Sequence, residues 1–477
     1  MQIYVRAYQD SDGDGIGDLR GLTQRLDYLK DLGVSGLWLM PVTQSQDNNH
    51  GYAVSHYRAI ESQYGTLADF DELLRQAHAR GIGVVIDYVI NHSGTRHPAF
   101  VNSRTGATNA FRDWYLWQPV RPAGWNIYGA DPWRPDASGF YFGPFSADMP
   151  DFNLTNGAVV NWHHDNLRFW LNRGVDGFRF DAVGHLVENG ASAWDNQPQN
   201  YPIMGAVRSV VQGYSNRFMV CEAPGDPLGF TAPTACGHAF AFGLQANLLR
   251  AARGDEAALR TSGYHFNTQP HSLATFLSNH DSFAGQRPWD QLGGNAAQLK
   301  LAASLVLLLP GVPFVYYGEE IGMGAGAGLT GDSSLRVPMS WTADPVRAGF
   351  TTGSPFRALA ANVQSQNVAA QQADPQSLWS HYRALIQLRR ARPSLGLGTF
   401  EIANVSGPVL TFRRRAGAEQ TLVAINTGDA TRVQVAHLTP GQQFRSLFPN
   451  TAMAATAGAD GVLTLDLPAR STLVLAP

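Results

Sequence analysis

Three acidic residues stand at the ends of three different apolar runs of strand length. Asp181 ends the run "VDGFRFD", Glu222 ends "RFMVCE" and Asp281 ends "LATFLSNHD". A single acidic residue in such a place usually caps the helix that follows. Three of them, with arginine or histidine close by, favour a shared catalytic site instead. Hydrolysis of a glycosidic bond requires such a set, with one carboxylate ionised and one acid protonated.

The residues next to these carboxylates indicate different roles for them. Arg179 and Asp181 are two apart, so both side chains face the same side of a strand. A neighbouring arginine lowers the pKa of a carboxylate, as a nucleophile requires. Glu222 is flanked by apolar residues, and partial burial would raise its pKa towards the range of a general acid.

Apolar runs alternate with helical segments along the first two thirds of the chain, and the helices are predicted to end at Gly33 and Gly81. Continuous apolar strands between helices indicate a parallel sheet that is buried on both faces. Eight such units favour a (β/α)8 barrel, in the α/β class, over an open sheet, and the active site of a barrel lies at the carboxyl ends of its strands. The runs are Ile3–Tyr8, Gly36–Val42, Gly83–Ile90, Val175–Val183, Arg217–Ala223, "HAFAFGL", Leu273–Asp281 and Gly311–Gly318.

Two regions break this alternation and divide the chain. Ser93–Pro150 is rich in Trp, Tyr, Gly and Pro, which indicates an inserted domain B after strand three. From about Leu397 onward, short alternating runs separated by turn residues indicate a C-terminal antiparallel β-sandwich domain. The predicted division is a first barrel part at 1–92, domain B at 93–150, a second barrel part at 151–395 and the β domain at 396–477.

The composition of the 477 residues bounds the function. Hydrophobic residues make up 44% of the chain, and no stretch approaches the ~20 unbroken apolar residues of a membrane span. A net charge of -3 argues against a nucleic-acid partner. The two cysteines, Cys221 and Cys236, are compatible either with a disulfide in an exported protein or with two free thiols. We expect a monomer that is secreted or periplasmic.

The run "DSDGDGIGD" has the spacing of a calcium loop, with glycine at its sixth position. Position twelve is Gly21 instead of glutamate, and a strand leads in, so the run is not an EF-hand pair. Closely spaced carboxylates would repel one another, which favours structural Ca²⁺ over a solvated turn. The predicted ligands are Asp10, Asp12, Asp14, the carbonyl of Ile16, and Asp18.

Six segments of the chain resemble the conserved regions of glycoside hydrolase family 13, the α-amylase family. In chain order they are "DYVINH", "MPDFN", "GFRFDAVGH", "CEAP", "FLSNHD" and "GVPFVYYGEEIGM". Members with this style of aspartate loop after strand one hold calcium there. The resemblance implies a retaining mechanism, with Asp181 as nucleophile, Glu222 as acid/base and Asp281 as transition-state stabiliser.

The same resemblance implies a set of substrate-binding residues. His92, Arg179 and His280 would line the subsite of the distorted glucose, and Tyr52 would stack on its ring. His185 would either bind sugar on the aglycone side or pack behind strand four.

Departures from the family pattern narrow the substrate. Exo-acting α-glucosidases often carry aspartates where this chain has Asn49 and Ala53, and an aspartate in place of His56 is common. Gly184 replaces the lysine that precedes the histidine in many α-amylases. Weaker gripping of a chain end favours an α-amylase type of enzyme that cleaves α-1,4 bonds in starch and maltooligosaccharides. An exo-acting α-glucosidase or a transglycosylase is the alternative, and a non-enzymatic carbohydrate-binding protein is disfavoured because all three carboxylates are present.

Overall fold

A ring of eight parallel strands forms the centre of the molecule. The computed structural model describes residues 1–477, apart from the side chain of Ile402. Each strand pairs with the next in chain order, and a parallel bridge between Gln2 and Tyr316 joins the last strand to the first. The predicted barrel is confirmed. Its strands are β1 (Gln2–Ile3), β2 (Gly36–Leu39), β3 (Gly83–Tyr88), β4 (Gly177–Phe180), β5 (Phe218–Cys221), β6 (Ala239–Phe240), β7 (Leu273–Thr275) and β8 (Val312–Pro313).

Helices surround the barrel and pack buried side chains against it. In α3, Phe70, Leu73, Leu74 and Ala77 lie on the buried face, and a capping box between Thr66 and Asp69 starts the helix. Within the described part of the chain, no helix is long and apolar enough to cross a membrane. The helices are α1 (Leu19–Gln24), α2 (Leu26–Leu32), α3 (Leu67–Ala79), α4 (Pro98–Ser103), α5 (Gly157–Arg173), α6 (Asn200–Gln212), α7 (Pro227–Phe230), α8 (Leu244–Ala252), α9 (Glu256–Thr268), α10 (Pro288–Gln291), α11 (Ala296–Leu308), α12 (Gly331–Leu335), α13 (Val368–Ala373), α14 (Leu378–Ala391) and α15 (Pro393–Leu397).

Two elements differ from the sequence-based expectation near the amino terminus. The first strand spans only Gln2–Ile3, and Val5–Ala7 forms a 3₁₀ turn instead of continuing it. The helix predicted to end at Gly33 does end there, with the glycine at a φ of 97°, but Arg25 divides it into α1 and α2. Because β1 ends early, the aspartate loop follows the 3₁₀ turn directly.

Two excursions from the barrel carry residues towards the carboxyl ends of the strands. A hairpin of Thr43–Ser45 and Val54–Ile60 follows β2 and holds Tyr52 in its loop. The segment after β3 forms a small antiparallel sheet from Trp117–Gln118, Trp133–Asp136 and Gly139–Phe142.

The C-terminal region is an antiparallel β domain of two layers. Its strands are β9 (Thr399–Ser406), β10 (Val409–Ala416), β11 (Glu419–Asn426), β12 (Thr431–Val435), β13 (Gln443–Phe448), β14 (Ala454–Thr456), β15 (Leu463–Leu467) and β16 (Ser471–Ala476). β12 and β15 pair with each other, and the other six form one sheet. Alternation along β11 packs Leu422 and Ala424 against the two-stranded layer, while Val423 and Ile425 join the core of the barrel side.

The two cysteines form a disulfide that ties the end of β5 to the segment before β6. Cys221 and Cys236 are both fully buried and lie 15 positions apart in sequence. Cys221 is the last residue of β5 and immediately precedes Glu222. The sequence was compatible with a disulfide or with two free thiols, and the structure shows the disulfide.

Replacing both cysteines by alanine is expected to lower the free energy of unfolding by about 3 kcal/mol, because a loop of this size gains that much freedom in the unfolded chain. Denaturant titration of both proteins measures the loss. A reductant should destabilise the unmodified protein and leave the double variant unaffected; equal stability of the two oxidised proteins would contradict the expectation.

Candidate active site

The three acidic residues singled out in the sequence lie at the carboxyl ends of barrel strands. Asp181 and Glu222 directly follow β4 and β5, and Asp281 lies beyond β7. The sheet ladder extends to the first two, because the N–H of Asp181 donates to the carbonyl of Tyr88 at 3.2 Å and that of Glu222 to the carbonyl of Phe180 at 3.0 Å. The barrel therefore fixes the backbone that carries both carboxylates.

One guanidinium connects the carboxylates of three strands. Nη1 of Arg179 lies 2.7 Å from Oδ1 of Asp181 and 2.8 Å from Oδ1 of Asp87, and its Nη2 lies 2.8 Å from Oε2 of Glu222. The arginine side chain is 1% exposed. Three carboxylates around one buried cation leave an excess of negative charge, which favours retention of a proton within the group.

Glu222 is the member of the group that holds its proton most strongly. Burial raises its pKa to about 7, against the opposing effect of Arg179. Burial likewise raises the pKa of Asp181 to about 6. The sequence suggested that Arg179 would bring the pKa of Asp181 below its ordinary value; the arginine does lower it, but loss of solvent outweighs that effect.

Asp281 is held by a second arginine, which the sequence reading missed. Nη2 of Arg336 lies 2.7 Å from Oδ1 of Asp281 and 3.0 Å from Oδ2 of Asp332. Nε of the same guanidinium donates to the carbonyl of His280 at 2.8 Å. The available signal was that Arg336 is the first basic residue after the glycine-rich segment 322–332.

Tyr52 and His280 form a stacked, hydrogen-bonded pair beside Arg179. Their ring centroids are 5.5 Å apart at an angle of 12°, and the Tyr52 hydroxyl lies 2.6 Å from Nε2 of His280. That hydroxyl also donates to Oδ2 of Asp87 at 2.9 Å. Asp87, near the carboxyl end of β3, thus anchors both Tyr52 and Arg179.

His92 and His185 both pack against Phe145, a residue of the segment after β3. The ring centroid of Phe145 lies 5.2 Å from that of His92 and 5.3 Å from that of His185. Burial lowers the pKa of His92 to about 3, so its imidazole is neutral. Its Nε2 is buried and finds no hydrogen-bond partner among the described residues.

His185 is engaged by neighbours that the sequence did not point to. Its Nε2 lies 2.9 Å from the hydroxyl of Tyr128, and its ring stacks on Trp194 at 5.4 Å and 6°. These contacts place the ring beside the segment after β3, so it does not pack behind β4, and its part in binding sugar stays a prediction.

A contact between two loops encloses one side of the site. Nη2 of Arg357 donates to Oδ1 of Asn49 at 3.0 Å, and its Nη1 donates to the carbonyl of Arg336 at 3.0 Å. Asn49 is also held through its carbonyl by the hydroxyl of Tyr4 at 2.7 Å. The loop that carries Tyr52 and the segment after β8 are thereby joined next to the arginine that binds Asp281.

The aspartate loop lies against the segment that follows β8. Asp10, Asp12 and Asp18 each offer a carboxylate oxygen within 4.8 Å of the others. Asp14 stands outside this group; it is exposed and accepts the N–H of Ile16 at 2.7 Å. Three hard oxygen donors this close fit a calcium ion.

Glycine at position 15 allows the aspartate loop to approach the segment after β8 closely. Gly15 has a φ of 92°, and a Cβ there would lie 1.9 Å from the carbonyl oxygen of Ser354. The N–H of Asp10 donates to the carbonyl of Phe350 at 3.0 Å, which fixes the loop to the same segment.

A cavity of about 670 Å³ opens at the opposite end of the barrel. Its lining includes Gly36, Gly83, Phe218 and Val312, which begin β2, β3, β5 and β8. None of the carboxylates described above lines it, so its place in the barrel separates it from the candidate active site.

Known proteins share both the sequence and the fold of this chain. The family model for the α-amylase catalytic domain matches residues 2–398. α-Amylase 3 of Dictyoglomus thermophilum is 33% identical over 435 residues, which cover 89% of this chain and 83% of that protein. Oligo-1,6-glucosidase of Parageobacillus thermoglucosidasius is 30% identical over 515 residues, covering 91% and 90%.

A crystal structure of the α-glucosyl transfer enzyme XgtA superimposes with a TM-score of 0.85 at 29% identity, covering 100% of this chain and 98% of that one. The relatives thus include both hydrolases and a transfer enzyme, on one fold. Together with the family match over most of its length, this shows that the chain is an enzyme of the glycoside hydrolase type and belongs to glycoside hydrolase family 13, the α-amylase family.

Proposed function

We propose that this enzyme hydrolyses the α-1,4-glucosidic bonds of starch and maltooligosaccharides with retention of configuration. The observation that carries the proposal is the sharing of Arg179 by Asp181 and Glu222. A shared guanidinium holds the two carboxyl groups close to each other. Close spacing is the arrangement of retaining enzymes.

In this proposal the two carboxyl groups divide the chemistry. The carboxylate of Asp181 attacks the anomeric carbon while the protonated Glu222 gives its proton to the departing glycosidic oxygen. A water molecule then attacks the anomeric carbon, the bond from that carbon to Asp181 breaks, and a proton of the water passes to the Glu222 carboxylate. Asp281, held by Arg336, binds sugar hydroxyls and stabilises the positive charge of the transition state.

The other predicted contacts follow from the same arrangement. His92 has a free, neutral imidazole nitrogen, and Tyr52 and His280 provide stacked rings beside the carboxylates. We assign these three residues, with Arg179, to the subsite that holds the distorted glucose.

The contact between Asn49 and Arg357 favours a second candidate, an exo-acting α-glucosidase or transglycosylase. A loop joined across the site would close it at one end and admit only a chain terminus. Oligosaccharide analysis during digestion of soluble starch and maltoheptaose separates the two. Early products of intermediate length with the α configuration support the α-amylase type, whereas glucose alone from the first minutes overturns it in favour of the exo-acting enzyme.

We further propose that the aspartate loop binds a structural Ca²⁺ through Asp10, Asp12 and Asp18, with Asp14 and the carbonyl of Ile16 as further predicted ligands. Its role is to hold the loop against Phe350 and the segment that follows, which leads to Arg357. The ion takes no part in bond cleavage.

Chelation of calcium is expected to lower the thermal unfolding midpoint while leaving the rate of the folded enzyme nearly unchanged. Added Ca²⁺ should restore the midpoint in the unmodified protein but not in Asp12→Ala, because one ligand is lost. Differential scanning fluorimetry and metal analysis measure both effects. A fall in the catalytic rate without a fall in the thermal unfolding midpoint would instead indicate that these aspartates take part in catalysis.

The location and assembly of the enzyme are also proposals. The buried Cys221–Cys236 disulfide supports a secreted or periplasmic location, since such bonds persist in oxidising compartments. We propose that it acts as a monomer on an α-glucan substrate.

A further inference from the structure

Gln2 lies where the barrel closes between its first and last strands. Its N–H donates to the carbonyl of Val315 at 2.8 Å, and its carbonyl accepts from the N–H of Tyr317 at 3.0 Å. The residue is 1% exposed, and Nε2 of its side chain lies 2.7 Å from Nδ1 of His280, which is fully buried. The barrel backbone therefore fixes this amide against the histidine that we assign to the glucose subsite.

The proton of the Tyr52 hydroxyl determines which nitrogen of His280 carries hydrogen. Burial raises the pKa of Asp87 to about 6, so its carboxylate is ionised at neutral pH and can only accept hydrogen bonds. The Tyr52 hydroxyl donates its one proton to Oδ2 of Asp87, 2.9 Å away. The same hydroxyl oxygen lies 2.6 Å from Nε2 of His280, and it must accept there. Nε2 of His280 therefore carries a proton.

The other ring nitrogen of His280, Nδ1, is left without a proton. Burial first, and then the charges of Arg336 and Arg179, lower the pKa of His280 well below its ordinary value, and a neutral imidazole has only one N–H. Gln2 supplies the donor that Nδ1 requires, because its amide NH₂ group lies at hydrogen-bond distance. A hydrogen bond to one ring nitrogen decides the state of the other, so Gln2 selects the tautomer.

The Nε2–H of His280 reaches the carboxylate that Arg336 also holds. Nε2 lies 3.1 Å from Oδ2 of Asp281, and Nη2 of Arg336 lies 2.7 Å from Oδ1 of the same residue. Each oxygen of Asp281 thus faces one donor, which restrains the rotation of the carboxylate. With the proton on Nδ1 instead, the Nε2 lone pair would face the oxygens of Asp281 and Tyr52, and both contacts would become repulsive.

We propose that Gln2 is a positioning residue for the stabilisation of the transition state. Its amide keeps His280 in the Nε2–H tautomer. This N–H, together with Arg336, orients Asp281 towards the positive charge that develops on the glucosyl unit, and such groups act best when they are held in place beforehand. The inference rests on the proposed function, because that function assigns this stabilising role to Asp281.

The tautomer of His280 is measured by NMR of protein labelled with ¹⁵N in its histidine side chains. Two-bond ¹H–¹⁵N correlations separate a protonated ring nitrogen from a bare one, and His280→Gln identifies the resonances of this ring. We expect a protonated Nε2 and a bare Nδ1 in the unmodified enzyme, and loss of that preference in Gln2→Met. A protonated Nδ1 in the unmodified enzyme would overturn the inference.

Gln2→Met keeps the length of the side chain but removes the donor. We expect kcat for maltose to fall about ten- to hundredfold, the usual cost of losing a group that orients an active-site histidine. KM should change little, because the oriented carboxylate acts mainly in the transition state. Gln420→Met is the matched control, since Gln420 lies on β11 and its buried Nε2 has no partner among the described residues. An unchanged kcat in folded Gln2→Met would overturn the inference.

Gln2→Glu separates positioning from a merely structural role through the pH profile of the variant. At low pH the new carboxyl group and His280 share one proton, and either placement of that proton keeps the Nε2–H. Loss of the proton as the pH rises leaves the last imidazole proton on Nδ1, beside the carboxylate, and Nε2 becomes bare. Activity should therefore fall at high pH. The other charged or titratable groups that face His280 stay the same in this variant; they are Arg179, Arg336, Asp281, Tyr52 and His50.

This fall is measured with an activated aryl α-glucoside in a Glu222→Gln background, where the fall caused by Glu222 itself is expected to disappear. It should be present with Gln2→Glu and absent with Gln2→Met. A flat profile for Gln2→Glu would overturn the inference, because a loss of packing alone has no dependence on pH.

Digestion of soluble starch by the unmodified enzyme keeps the two proposals apart. Cleavage of the aryl α-glucoside without hydrolysis of starch would overturn the proposed function alone. Hydrolysis of starch by an enzyme whose His280 carries its proton on Nδ1 would overturn this inference alone.

Discussion

Asp181→Asn is expected to lower kcat by about four orders of magnitude or more, the scale seen when a residue of a covalent catalytic unit is removed. The amide keeps the size of the side chain and can still accept a hydrogen bond from Arg179, 2.7 Å away. It cannot form the glycosyl ester, because an amide is a far weaker nucleophile than a carboxylate. Hydrolysis of maltooligosaccharides and of an activated aryl α-glucoside measures the loss with both kinds of leaving group.

Asp165→Asn provides the matched control for that substitution. Asp165 lies on α5 with its side chain 63% exposed and pairs with Arg168 on the helix surface, a contact worth well under about 1 kcal/mol. Its rates should equal those of the unmodified enzyme. Near-normal turnover by Asp181→Asn, with the control also active, would remove Asp181 from the reaction.

Glu222→Gln should separate substrates by how much their leaving groups need a proton. For maltose, kcat/KM should fall by roughly two to four orders of magnitude, the usual contribution of a general acid. An activated aryl α-glucoside with a weakly basic leaving group should lose far less in the first step. Added azide should then accelerate the second step, in which the glycosyl unit is released from Asp181, because azide attacks the anomeric carbon without the help of a general base.

The pH profile of the unmodified enzyme gives the same assignment an independent test. Burial raises the pKa of Glu222 to about 7, so the protonated acid is lost, and activity should fall, as the pH rises above that value. Asp181 must be ionised and has a pKa raised to about 6, so activity should also fall below that pH. In Glu222→Gln the fall at high pH should disappear. If Glu222→Gln still lost activity at high pH, or if kcat/KM fell equally for both leaving groups, the assignment of Glu222 would be contradicted. Glu256→Gln, on the exposed first turn of α9, is the control.

The strand ends and their carboxylates could be predicted because they depend on local rules. Apolar runs of strand length between helices predict a barrel, and a barrel brings the residues after its strands to one end. Asp181 and Glu222 follow their strands directly, so their relation to Arg179 is set by the period of two along β4 and by the pairing of β4 with β5. The family regions coincide with these positions.

The remaining features depend on contacts between segments that are distant in sequence. Arg336 reaches Asp281 across 55 positions, and Tyr128 reaches His185 across 57. No period in the sequence marks either pair, since both members lie in loops whose course is set by packing. The sign of the pKa shift of Asp181 also required the structure, because burial opposes Arg179 and only its extent decides the outcome.

Trapping of the covalent intermediate tests the central claim, that Asp181 is the nucleophile of a retaining enzyme. A fluorinated α-glucosyl fluoride suits this purpose, because its ring fluorine slows both steps while its anomeric fluoride leaves readily. Mass spectrometry of the intact protein and then of its peptides locates the label. We expect one added glycosyl unit, carried by Asp181 and lost on transfer to an acceptor. A label on another residue, or release of a product of inverted configuration by an active enzyme that forms no adduct, would contradict it.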